Sequence, residues 1–173
     1  MRFCLIDRIL SLERGKRIVA VKNLSLAEEY LADHFPTFPV LPGVLMLEGL
    51  VQAAAWLVQA TTDFRYGRVL LREARAVKYG RFVEPGATLR IEVEALGLDE
   101  DTSRFRGVGL VEGERAVSAR LVLEHRPLDA LDGCGGLEPE VVRQRLREQF
   151  ATIAPRLIEP VTVTARENEA TEA

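Results

Sequence analysis

Cysteine and histidine are both scarce in this chain: 173 residues carry two of each, the cysteines being Cys4 and Cys134. Neither cysteine has the CxxC or CxxH companion that a zinc site or redox pair needs, so no metal is expected and a reduced, cytoplasmic setting fits best. Positive charge is not in excess either. A net charge of −3 argues against a nucleic-acid binder that works through overall charge. An uninterrupted apolar leader is also missing, because Arg2, Asp7 and Arg8 break up the opening MRFCLIDRIL, which a secretion signal does not tolerate. There is no internal repeat and no long low-complexity segment. What remains, 47% hydrophobic and 28% charged, suits one well-packed domain.

Residues 3–10 and 17–24 are short runs of branched side chains on either side of the polar SLERGK, which predicts an opening hairpin. Residues 71–79, 87–98, 102–111 and 115–125 give four more strands, parted by EPG, DED and EGE turn signals. Between these groups, residues 42–60 (PGVLMLEGLVQAAAWLVQA) form the one long helix before the tail, with Pro42 suited to its first turn. Only Glu48, Gln52 and Gln59 interrupt its apolar circumference, so it is no ordinary surface helix. It sits at the short end of membrane-spanning length and carries a carboxylate mid-run, so a surrounding protein is the better answer. Met46, Leu50 and Trp56 are core candidates. A helix wrapped by a curved antiparallel sheet, the α+β hot-dog arrangement, satisfies all of this. Residues 1–126 form that domain, and residues 127–173 read as an extension. The extension holds a loop, an amphipathic helix over 138–150 with an apolar stripe of Val141, Val142, Leu146 and Phe150, and a frayed end at 167–173. His125 has no acidic or nucleophilic company and is expected to be structural or exposed.

The chemistry concentrates in HFPTFPVLPGVLMLE, residues 34–48, followed by Gln52. Pro36, Pro39 and Pro42 restrict the backbone, so His34 is held on a rigid, non-helical approach to the helix. Glu48 and Gln52 lie four apart and share a face, which sets a carboxylate beside an amide on an oily cylinder. Such a carboxylate is either hydrogen-bonded or holds its proton near neutrality. An acid beside an imidazole of ordinary pKa about 6.5 is the equipment for β-elimination. The free N–H groups of Gly43 and Val44 at the helix start can stabilise the charge that develops on a thioester carbonyl, and Gly43 admits a close approach. Gln52 has two open roles, orienting Glu48 or satisfying a buried backbone group.

The segment resembles the HFPxxPxxPGVLxxE(A/G)xxQ signature of 3-hydroxyacyl-[acyl-carrier-protein] dehydratases of the FabZ/FabA type. His34, Pro36, Pro39, Pro42, Gly43, Glu48 and Gln52 fall on motif positions, and the likeness spans roughly residues 3–125. Asp33 stands where a glycine commonly precedes the histidine, and residues 127–173 have no counterpart in short family members. The resemblance implies dehydration of 3-hydroxyacyl thioesters to trans-2-enoyl thioesters, with no cofactor beyond the substrate's phosphopantetheine arm. It also implies a homodimer, with a trimer of dimers open, in which the histidine of one chain faces the carboxylate of the other. Tyr79 and Phe82 stand where family members close the acyl tunnel. A basic stretch containing Arg72, Arg75, Lys78 and Arg81 has two readings: a solvated face, or a landing site for an acidic acyl carrier protein. Two rival functions stay open, a hot-dog thioesterase, which the HFP…PGV…E pattern disfavours, and a catalytically silent partner subunit.

Overall fold

The computed structural model describes residues 4–35, 37–128 and 138–158. In chain order these form β1 (Arg8–Glu13), β2 (Arg17–Asn23), α1 (Tyr30–Asp33), α2 (Gly43–Thr61), β3 (Tyr66–Tyr79), β4 (Thr88–Leu98), β5 (Thr102–Val111), β6 (Glu114–Pro127), α3 (Pro139–Ile153) and α4 (Pro155–Ile158). The six strands make one antiparallel sheet in the order β1-β2-β4-β5-β6-β3. Helix α2 packs against β2 to β6, so the sheet wraps it as the hot-dog reading expects. By length and composition α2 could cross a membrane, but here it is the core: Leu50, Ala53, Ala54, Leu57 and Val58 are fully buried. The sheet can close on the helix because β5 carries Gly107, where a Cβ would sit 3.1 Å from Leu50 Cδ1.

Alternation dictates which face points inward. In β2 the row Ile18, Ala20 and Lys22 is buried, and in β5 Ser103, Phe105, Gly107, Gly109 and Val111 are buried. Three expectations need correction. The first strand begins at Arg8, not at residue 3. Consecutive apolar residues imitate a strand there, but Leu5 and Ile6 are buried as an irregular lead-in whose hydrogen bonds partly go to a helix side chain. β3 begins at Tyr66 rather than residue 71, lengthened by its pairing with β6 as far as Pro127. Pro42 is the N-cap and not a first-turn residue; with ψ at 136° its carbonyl accepts from Leu45 and Met46. The single-turn helix α1 is an addition to the expected elements.

Helix α3 runs three residues past its expected end and docks by that end. The Phe150 ring lies 5.9 Å from Trp56 and 5.6 Å from Phe64, Arg147 pairs with Asp63 at 2.8 Å, and Ala154 is fully buried. Val141, at the other end of the expected stripe, stays exposed. His125 is structural: its Nε2 meets Ser103 Oγ at 2.9 Å, its Nδ1 meets the Glu100 carbonyl at 3.0 Å, and Tyr66 packs on its ring. Burial pushes its pKa down. Cys134, Pro36 and the expected frayed end lie outside the described residues.

Candidate active site

The candidate residues lie on two helices, α1 and α2. Helix α1 is a single turn, and His34 is its C-cap, with extended backbone (φ −120°, ψ 105°). The His34 ring is half-buried and packs against the Phe35 ring, with centroids 4.5 Å apart and planes tilted by 57°. Phe35 itself takes φ 50°, a left-handed conformation that a bulky residue adopts at a cost of about 1–3 kcal/mol. Its carbonyl closes a turn by accepting from Phe38 N–H at 2.8 Å. Asp33 is exposed to solvent.

On α2, Glu48 and Gln52 lie one turn apart. Gln52 Nε2 donates to Glu48 Oε1 at 3.0 Å, while Gln52 Oε1 accepts from the Leu5 N–H at 2.9 Å. The amide thus satisfies a backbone donor and also donates to the carboxylate. Glu48 is half-buried and hydrogen-bonded, the first of its two expected conditions. Among the described residues nothing accepts from the N–H groups of Gly43 and Val44, as befits the first turn of a helix. The space left by the missing Cβ of Gly43 is taken by Tyr79, whose Cε1 would lie 3.1 Å from that atom. The close approach expected of a ligand is thus made, within the chain, by an aromatic ring.

No hydrogen bond or ion pair joins His34 to Glu48 within the chain. Around them Phe35, Phe38, Val44, Tyr79 and Phe82 are exposed, with Phe38 and Phe82 edge to face at 5.8 Å. The four basic residues differ in their commitments. Arg75 pairs with Glu73 at 2.5 Å, and Arg81 reaches Glu112 at 2.7 Å and Glu114 at 3.2 Å. Arg72 and Lys78 are in no ion pair among the described residues, and both are exposed. A separate hollow of about 530 Å³ on the outer face of the sheet is lined by Glu13, Lys16, Arg17, Glu92, Glu94 and Arg106. Those charges neutralise one another as Lys16–Glu13, Arg17–Glu92 and Arg106–Glu94 pairs, so it is a solvated valley remote from the site. The described residues hold no cluster of three or more metal-ligating side chains.

Sequence reasoning missed the Leu5 N–H that holds Gln52 and the ion group of Lys22 with Asp7 and Glu28. Lys22 carries a signal, being a cation at an inward position of an otherwise apolar strand.

The chain resembles known proteins in sequence and in fold. Residues 1–125 match the model of the FabA-like domain. The 3-hydroxyacyl-[acyl-carrier-protein] dehydratase FabZ of Variovorax paradoxus is 41% identical over 130 residues, covering 73% of this chain and 87% of that protein. The protein of the same name from Magnetococcus marinus is 43% identical, covering 69% of this chain and 80% of that protein. Among solved structures, the dehydratase heterocomplex ApeI:P from Xenorhabdus doucetiae matches with a TM-score of 0.62 at 20% identity, covering 74% of this chain and 86% of that one. A thioesterase, HI1161 from Haemophilus influenzae, matches at 0.53 and 14% identity, covering 72% and 80%. Identities this low establish the shared fold alone.

Proposed function

The chain belongs to the FabA-like family, and from that premise we infer that it dehydrates 3-hydroxyacyl thioesters carried on acyl carrier protein, in fatty-acid biosynthesis. The observation that carries the reading is Glu48, a half-buried carboxylate held by Gln52 at 3.0 Å on the helix whose first N–H groups are free. His34 takes the proton from the carbon next to the thioester carbonyl. Negative charge develops on the carbonyl oxygen, where the Gly43 and Val44 N–H groups stabilise it. Glu48 enters the step in its protonated form and gives that proton to the 3-hydroxyl, which leaves as water; a trans-2-enoyl thioester remains, with the substrate's proton on His34. The elimination is redox-neutral and its base, acid and anion-stabilising donors all come from the chain. It therefore needs no resident cofactor, and the pantetheine arm arrives with the substrate.

The working unit in this reading is a homodimer in which His34 of one chain faces Glu48 of the other. Support comes from β3, an edge strand with Leu70 and Leu71 exposed, and from the uncovered aromatic rim around His34. Arg72, Arg75, Lys78 and Arg81 receive the acidic carrier, with Arg72 and Lys78 contributing most because their charges are uncommitted. We place the protein in the cytoplasm, where a free thiol such as Cys4 stays reduced.

Purified His34→Ala and Glu48→Gln variants test the reading on 3-hydroxyacyl carrier substrates. Each should remain folded and lose about 10²–10⁴-fold in turnover. Near-normal dehydration by either removes that residue from the mechanism, and release of free thiol by the parent protein would identify hydrolysis instead.

A further inference from the structure

Lys22 is the one buried cation among the described residues, 6% exposed, and it continues the inward row of Ile18 and Ala20 where alternation calls for an apolar side chain. Its Nζ donates to Glu28 Oε1 at 2.7 Å and to Asp7 Oδ1 at 3.2 Å. The second Asp7 oxygen accepts from the Asn23 N–H at 2.6 Å. Burial acts to lower the Lys22 pKa, yet Glu28 and Asp7 more than reverse this and leave it raised. Tyr30 lies against the same group: burial, then the Glu28 carboxylate, push its phenol well above the ordinary range.

Such a group adds little to the stability of the fold, because burying the Lys22 charge offsets much of its attraction to two carboxylates that stay a quarter to a third exposed. What it supplies is direction. Glu28 stands just before Glu29, the N-cap of α1, and its carbonyl accepts from the Leu31 N–H at 3.0 Å; His34 caps the other end. A helix of one turn has no stability of its own, so its orientation comes from what pins it: Leu31 in the core and the Glu28 carboxylate on Lys22. Asp7 and Leu5 belong to one irregular lead-in, and the Leu5 N–H holds Gln52, which holds Glu48. Both halves of the site therefore hang from the same three residues, Leu5 to Asp7.

We propose that buried Lys22, with the part-exposed carboxylates of Asp7 and Glu28 that it bridges, is the positioning device for His34, coupled through the Leu5–Asp7 lead-in to the support of Glu48. The proposal rests on the reading that His34 and Glu48 do the chemistry.

Glu28→Gln tests it in the full-length protein, because the shape is kept and the charge is lost. The chain has only two histidines, so imidazole NMR resonances separate His34 from His125 without ambiguity. The expected result is a kcat about 10- to 100-fold lower with KM little changed, the size of effect that a small misplacement of a reacting group produces. The His34 resonances should move while those of His125, held by Ser103 and Glu100, stay in place. Unchanged kcat and unmoved His34 resonances overturn the proposal, as does an equal displacement of both histidines, which marks a general loosening. If Glu28→Gln does not fold, Asp7→Asn, which leaves the Lys22–Glu28 contact intact, is read by the same two measurements and the same criteria. His34→Ala separates the two levels. If that variant turns over normally, both readings fall; if it is inactive while Glu28→Gln behaves as wild type, the positioning proposal alone falls.

Discussion

Replacing Phe150 with alanine should loosen the C-terminal helix far more than breaking the ion pair beside it. Full burial of a phenylalanine stabilises by about 1.5–3 kcal/mol, and Phe150 is half-buried, so roughly half of that applies. Its two aromatic neighbours, Trp56 at 5.9 Å and Phe64 at 5.6 Å, add about 0.5–1.5 kcal/mol each. The sum is about 2–4 kcal/mol. Arg147 and Asp63 meet at 2.8 Å but are 38% and 70% exposed, so that pair contributes about 0–1 kcal/mol. In a chain of this size each kcal/mol moves the melting point by about 2–4 °C. Thermal unfolding should therefore show Phe150→Ala lower by about 5–15 °C and Arg147→Ala lower by no more than about 4 °C. Limited proteolysis should release α3 early from the first variant only. A larger loss from Arg147→Ala, or no change from Phe150→Ala, would refute the idea that aromatic packing docks this helix. Truncation after Arg126 goes further and bares Trp56 and Phe64. The shortened chain should melt lower yet still dehydrate, since every proposed reacting group precedes residue 53; a folded, dimeric and inactive product would place the extension in the site.

Two more predictions concern charge. Reversing Arg72 and Lys78 to glutamate should raise KM for carrier-bound substrate, and added salt should do the same to the parent protein, while minimal pantetheine substrates are spared; equal losses on both substrates would count against a carrier surface. His125 should make the fold acid-sensitive. Its folded pKa is depressed by burial, so the unfolded chain takes up a proton more readily. Its contribution to stability is present above about pH 6.5 and is lost as pH falls through the folded value. Melting curves across that window should fall toward acid, and less so in His125→Gln; identical slopes would deny His125 the role.

Much of the fold is legible in the amino-acid sequence. The core helix announces itself because an apolar run with a Pro-Gly start and few polar breaks has one economical environment, and β4 and β5 follow from two-residue alternation. The candidate reacting pair is legible because Glu48 follows His34 by fourteen positions in a long, proline-constrained motif. The supports are less so. A one-turn helix has no periodicity to detect, and α1 exists through Leu31 burial and the Glu28–Lys22 contact, both tertiary. Residues 3–6 read as strand by composition, but the deciding fact is a bond from Leu5 to a side chain 47 positions away. For Gln52, composition and spacing narrow the role to two choices, and the fold makes them simultaneous.

That His34 and Glu48 make no bond to each other within one chain has a genetic consequence under the proposed dimer. A chain with His34→Ala still carries an intact Glu48, and a chain with Glu48→Gln still carries an intact His34. Each is dead alone. Mixed and allowed to exchange, about half of the dimers become hybrids, and in every hybrid one of the two sites draws its histidine and its carboxylate from undamaged partners. About a quarter of the parental activity should return from two inactive proteins, as the two-fold symmetry of such an assembly dictates. Two defective alleles in one cell would complement each other, and two copies of the same defective allele would not.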